Sequence, residues 1–190
     1  MSERTKQSQP PASLPMRARL LFLPALVATA ATPARAYDFL TIAQARALLF
    51  PGAKFTDAKF DMTDEDVATL QRFAPGATIW RRRVAVWKAS TGGWFFLDQC
   101  LGRSDVITFA VGLDPAGVVK GVEVLVCLGV YDQIRKPDWI GHFVGCRRGG
   151  KNPAEVLPAI SGVTLSAEHL IEGVQRVMAT HQIMQTRKLT

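Results

Sequence analysis

Residues 107–125 read ITFAVGLDPAGVVKGVEVL. Two runs of β-branched and apolar residues flank Asp114-Pro115-Ala116-Gly117, and proline at the second position of such a tetrapeptide suits a type I turn. A tight turn between strands closes an antiparallel hairpin, because parallel neighbours need a long crossover. The hairpin is predicted over residues 106–113 and 118–126. Upstream, residues 78–89 and 93–101 have the same strand texture and are joined by Gly-rich or polar turns. Four strands with short connections predict an antiparallel sheet of about four strands.

Helical signals lie on either side of this block. Thr41 and Gln44 have capping-box spacing ahead of a periodic run from Ile42 to Phe50, which Pro51-Gly52 stops. Thr63 and Asp66 repeat the device for a helix over about 64–73, ending before Pro75-Gly76. Beyond Pro137 a short helix is predicted over 138–144 and a long one over 166–184. On the long one, Leu170, Val174, Val177, His181 and Met184 recur at three- and four-residue steps and predict a face lying on the sheet. Helices at both ends of an antiparallel sheet make the fold class α+β.

The chain has 190 residues, 48% of them apolar, enough for one core and little more. Residues 1–36 read as a signal peptide. Arg17 and Arg19 precede the apolar run from Leu20 to Ala31, and Ala34-Arg35-Ala36 supplies small residues at the cleavage positions. That run, broken by Pro24, is too short for the roughly 30 Å of a bilayer core. The mature domain is therefore expected to be residues 37–190, starting at Tyr37, in a periplasmic or other extracytoplasmic compartment. Met16, directly before Arg17, is an alternative start.

Residues 1–36 hold five basic side chains against one acid, so without them the net charge falls from +7 to +3. That excess is weak, and the dense basic run Arg81-Arg82-Arg83 sits in a strand-like segment where it reads as a solvated face. Nucleic acid is not an expected partner. Cys100, Cys127 and Cys146 would meet an oxidising compartment, which allows one disulfide and one thiol without choosing the pair. No C-x-x-C pair points to haem, zinc or dithiol chemistry, and His142 with Cys146 lacks further ligands, so no metal residues are assigned.

Two catalytic patterns fail on context. Gly145-Cys146-Arg147-Arg148-Gly149-Gly150-Lys151-Asn152 is nearly a phosphate-binding loop, but it follows a helical piece and meets Pro153, which drives Asn152 towards an extended conformation. It reads as a basic surface loop. His169 and His181 lie about 18 Å apart along one helix and cannot serve one small site, no G-x-S-x-G elbow exists, and no catalytic residue is assigned.

The remaining pattern is Ser161-Gly162-Val163-Thr164-Leu165-Ser166 at the start of the long helix. Its plain reading is a Ser161-Gly162 turn followed by Ser166 as helix cap. Its chemical reading is that a helix N-terminus offers free N–H groups and a positive dipole end to a phosphate, with Gly162 allowing close backbone approach.

Ser161-Gly162-Val163-Thr164 resembles the core signature of the FMN-binding domain family, found in exported subunits of sodium-pumping NADH:quinone reductases and Rnf complexes and in the nitrous-oxide-reductase regulator. The similarity extends to the strands around Asp114–Gly117, to residues 134–145 with their Pro-x-Trp and Phe-x-Gly pattern, and to Phe50-Pro51-Gly52-Ala53. The resemblance implies FMN joined by a phosphoester to Thr164, with Ser161, Gly162, Val163, Leu165 and Ser166 around it. It implies maturation by a magnesium-dependent flavin transferase and an electron-relay role between redox partners, some of them membrane-bound, rather than a stand-alone catalyst. Trp139, with Phe143 four residues on, is a candidate wall for the flavin ring; ordinary core packing gives the same spacing. The sequence departs from the family at Pro158 (usually aspartate), at Val163 (usually alanine) and over residues 127–131, where a Glu-x-x-Gly run is common. A flavin-free member acting as a binding or assembly module of a membrane-associated complex is the alternative.

Overall fold

The computed structural model describes residues 40–76, 79, 81–103, 105–127 and 132–188. The predicted signal segment, Thr78 at the start of the first predicted strand, and residues 128–131 of the departing segment lie outside the described residues.

The chain opens with α1 (Ile42–Leu49), held by the capping box: the Gln44 backbone N–H donates to the Thr41 hydroxyl, and the Gln44 side chain accepts from the Thr41 backbone. Two short strands follow, β1 (Phe55–Asp57) and β2 (Phe60–Asp61), and then α2 (Asp64–Phe73), capped reciprocally by Thr63 and Asp66. The strands β3 (Arg83–Ala89), β4 (Trp94–Leu101), β5 (Val106–Leu113) and β6 (Val119–Val126) run as an antiparallel meander. A 3-10 turn at Asp132–Arg135, α3 (Pro137–Ile140), a second 3-10 turn at Gly141–Phe143, α4 (Pro153–Val156) and the 23-residue α5 (Thr164–Thr186) complete the order.

The architecture is α+β, as the hairpin and flanking helices indicate. Among the described residues the sheet runs β1-β3-β4-β5-β6, with β2 also on β3, six strands rather than about four. The two additions are three and two residues long, too short to show a period. They form because the free edge of β3 offers a ladder, Phe55 opposite Ala89 and Phe60 opposite Val84. The predicted helix over 138–144 is broken, one turn of α-helix tightening into 3-10 geometry at Gly141, as helix ends commonly do.

Side chains alternate across the sheet and build two cores. Phe96, Phe109, Val111 and Val124 face α5 and α2, while Phe95, Ala110 and Leu125 face α1. This explains why β5 is apolar almost throughout: it is buried on both faces. Gly173 lets α5 lie close to the sheet, since a Cβ there would come within 2.6 Å of the Phe109 ring. Arg176 crosses from α5 to β4, its Nε donating to Asp98 Oδ2 at 2.8 Å and Nη2 to the Gln99 carbonyl at 2.7 Å. At the far end of α5, Arg187 pairs with Asp66, the same carboxylate that caps α2.

Candidate functional site at the start of the last helix

The turn before α5 is closed by Val163 N–H donating to the Ile160 carbonyl, with Gly162 at φ +83°, a left-handed conformation that glycine adopts without strain. Helical geometry begins at Thr164, two residues before the predicted start. The cap residue is Val163, whose side chain cannot accept a hydrogen bond and makes no cap. Ser166, expected as the cap, is instead in the first turn and fully buried, its hydroxyl accepting from the Arg103 backbone N–H at 3.2 Å. Tertiary packing sets the boundary: Val163 is buried in the core and its carbonyl accepts from Ala167, which draws the residues after it into the helix.

Thr164 is exposed, and its hydroxyl donates to the Ile160 carbonyl at 3.3 Å. An open hollow of about 270 Å³ lies over it, lined by Arg103, Gly162, Val163, Thr164, Leu165 and Ser166. Five of the seven residues singled out from sequence thus share one hollow. Ser161 is exposed in the turn beside it and does not line it. Leu165 stands 52% exposed at its edge, and Leu101 and Val106, paired at the end of the β4–β5 hairpin, are 44% and 45% exposed. The hairpin end is tied to α5 twice, by the Arg103–Ser166 bond and by His169 Nδ1 at 2.7 Å from the Leu101 carbonyl.

Trp139 does not line the hollow. It is buried, meets Phe143 edge to face at 5.5 Å, and belongs to the same core as Val163. Its indole Nε1–H donates to the Pro158 carbonyl at 2.9 Å, which fixes the strap leading to the Ser161-Gly162 turn.

Arg103 is the residue sequence reading missed. It lies 61 positions before Thr164, with no local pattern marking it, and only the β4–β5 hairpin brings it to the hollow. An exposed hydroxyl, a helix N-terminus and an arginine lining the same hollow form an arrangement that fits a phosphate group.

Elsewhere, His181 is buried between Trp94 and Phe96. It lies on the helix face predicted to pack on the sheet, and its Nε2 has no hydrogen-bond partner among the described residues. All three cysteines are buried, with no disulfide among them. Burial pushes the Cys100 thiol up to about 12. In the Gly145–Asn152 loop, Lys151 Nζ donates to the carbonyls of His142 and Val144 at 3.1 and 3.0 Å, so this lysine staples its own loop.

No family model matches the sequence, and no curated protein matches it. Among solved structures the chain is similar to the one titled "Crystal structure of Shewanella oneidensis NqrC", with 16% identity over 77% of this chain and 90% of that one and a TM-score of 0.45. A likeness of that extent does not carry to function.

Proposed function

We propose that the protein is an exported flavoprotein that carries FMN as a phosphoester on Thr164 and relays electrons between redox partners. The observation that carries this reading is the position of Thr164: the threonine of the Ser161-Gly162-Val163-Thr164 signature is exposed at the N-terminus of a 23-residue helix, beneath a hollow that also holds Arg103. The helix end and the Arg103 guanidinium favour a phosphate diester there. Bound FMN supplies the redox chemistry, and the chain supplies placement and charge. Gly162, at φ +83°, lets the turn fold back in a conformation other residues adopt only with strain, and Leu165 offers apolar surface at the edge of the hollow.

A second reading, the flavin-free binding or assembly module, is favoured by Pro158 and Val163, which stand where the family signature has aspartate and alanine. The two are separated by co-expressing the chain with a flavin transferase in the periplasm and examining the denatured protein for in-gel flavin fluorescence. Fluorescence that disappears in Thr164→Val supports attachment. A dark band, beside a control substrate modified by the same enzyme, supports the flavin-free module.

A further inference from the structure

A second recess lies on the flank of α5 towards its C-terminal end, and nothing in the Thr164 reading uses it. His181 is seventeen positions beyond Thr164, about 25 Å along the helix axis. The recess is an open cleft of about 520 Å³ between α5, the Asp114–Gly117 turn and the Arg147–Gly149 loop. It adjoins a hollow of about 240 Å³ that runs on past Phe73 and Asn152, with Arg147, Arg148, Gly149 and Met178 lining both. On α5 the lining residues Gln175, Met178, Gln182 and Gln185 recur at three- and four-residue steps, so one stripe of the helix forms the wall. Met178 and His181 are the buried floor, and the two arginines with Gln182 and Gln185 are the exposed rim.

The chemistry of the rim is one-sided. Among the described residues, neither Arg147 nor Arg148 has a carboxylate within ion-pair distance. The Arg148 guanidinium lies 3.4 Å from the centre of the Phe73 ring, which holds its plane and leaves its edge donors for a ligand. The nearby acids are otherwise engaged: Asp114 Oδ1 accepts from the backbone of Ala116 and Val118, and Glu155, at the far hollow, accepts from Asn152 at 3.4 Å. Lys151 is occupied by its own loop, as described, so it shapes the loop without competing for the ligand. At the floor, the His181 ring comes up against Gly117, where an added Cβ would lie 2.7 Å from its Nδ1, while its Nε2 is buried without a hydrogen-bond partner among the described residues.

We propose that this cleft binds a small oxyanion-bearing molecule, a carboxylate or phosphate, held by the guanidinium forks of Arg147 and Arg148 over the His181 floor. The cleft is wide enough for a small metabolite, and it stands clear of the hollow over Thr164, so occupation of the two is independent.

The test titrates the full chain and its Thr164→Val variant separately with sodium phosphate and sodium succinate, at ionic strength held constant with sodium chloride. It follows the backbone amides of Gly117 and Gly149 and the imidazole of His181 by NMR. Saturable shifts at these positions with either anion, equal in the two proteins, are expected; phosphate alone saturating assigns a phosphoester ligand, and succinate alone a carboxylate. Arg148→Lys keeps the charge but not the fork and should weaken binding about fivefold or more, as should Arg147→Gln on its exposed loop. Shifts that fail to saturate and match those from chloride overturn the proposal. So does saturable binding that neither arginine variant weakens, provided the amide dispersion shows the variants folded.

Discussion

The indole N–H of Trp139 donates to the carbonyl oxygen of Pro158 at 2.9 Å. One end of this bond is the tryptophan of the Pro-x-Trp turn, and the other is the residue six positions before Thr164, where the FMN-binding family has an acid. The bond uses only the backbone of residue 158, so the side chain there can change while the strap keeps its course. Pro158→Asp should therefore fold as the parent does and raise the yield of flavin attachment by the transferase, read as in-gel fluorescence per unit protein. An unchanged or lower yield with the fold intact would show that the acid is not what limits modification.

Trp139→Phe keeps an aromatic ring against Phe143 and removes the donor to Pro158. The lost bond should cost about 1 kcal/mol in urea unfolding, and the released strap should make the 157–163 segment more sensitive to protease. A variant as stable and as resistant as the parent would mean that the bond does not hold the strap.

Burial pushes the His181 imidazole below its ordinary value, with Asp114 opposing in part. The unfolded chain then binds more protons near and below the ordinary value of about 6.5. The associated stability is fully present above that pH and is lost as pH falls through it towards the lower folded value. His181→Phe, which keeps a ring beside Trp94 and Phe96, removes this titration. The urea midpoint of the parent should fall relative to that of the variant between pH 7.5 and 5. Parallel pH profiles would show that His181 does not titrate differently on folding.

The Cys100 thiol, pushed up to about 12 by burial, stays protonated at neutral pH and should be inert, because the thiolate is the reactive form. At pH 8 a thiol reagent should label Cys100 only after denaturation. The raised value also means that stability held below the ordinary thiol range is lost as pH climbs from about 9 towards 12. Rapid native labelling would place Cys100 in an open environment.

The sheet and the capped helices were legible because their signals are local. The Asp-Pro-Ala-Gly turn fixes the β5–β6 hairpin, and the Thr41–Gln44 and Thr63–Asp66 pairs mark helix starts by spacing alone. The first residue of α5 was not legible, since its boundary depends on Val163 entering the core and on Ser166 turning to the Arg103 backbone, a contact across 63 positions. β1 and β2 escaped for a related reason: five residues in all carry no period, and their pairing with β3 exists only once the sheet is built. Of the Thr164 site, the motif residues were readable in sequence and Arg103 was not, because a hairpin tip reaches it through space.

Peptide mass analysis of Thr164 in protein co-expressed with an active flavin transferase decides whether this threonine carries the flavin. The peptide that contains Thr164 should carry the added mass of FMN, with fragmentation placing it on that threonine and no adduct in Thr164→Val. An unmodified Thr164 peptide, recovered beside a fully modified control substrate, would contradict it.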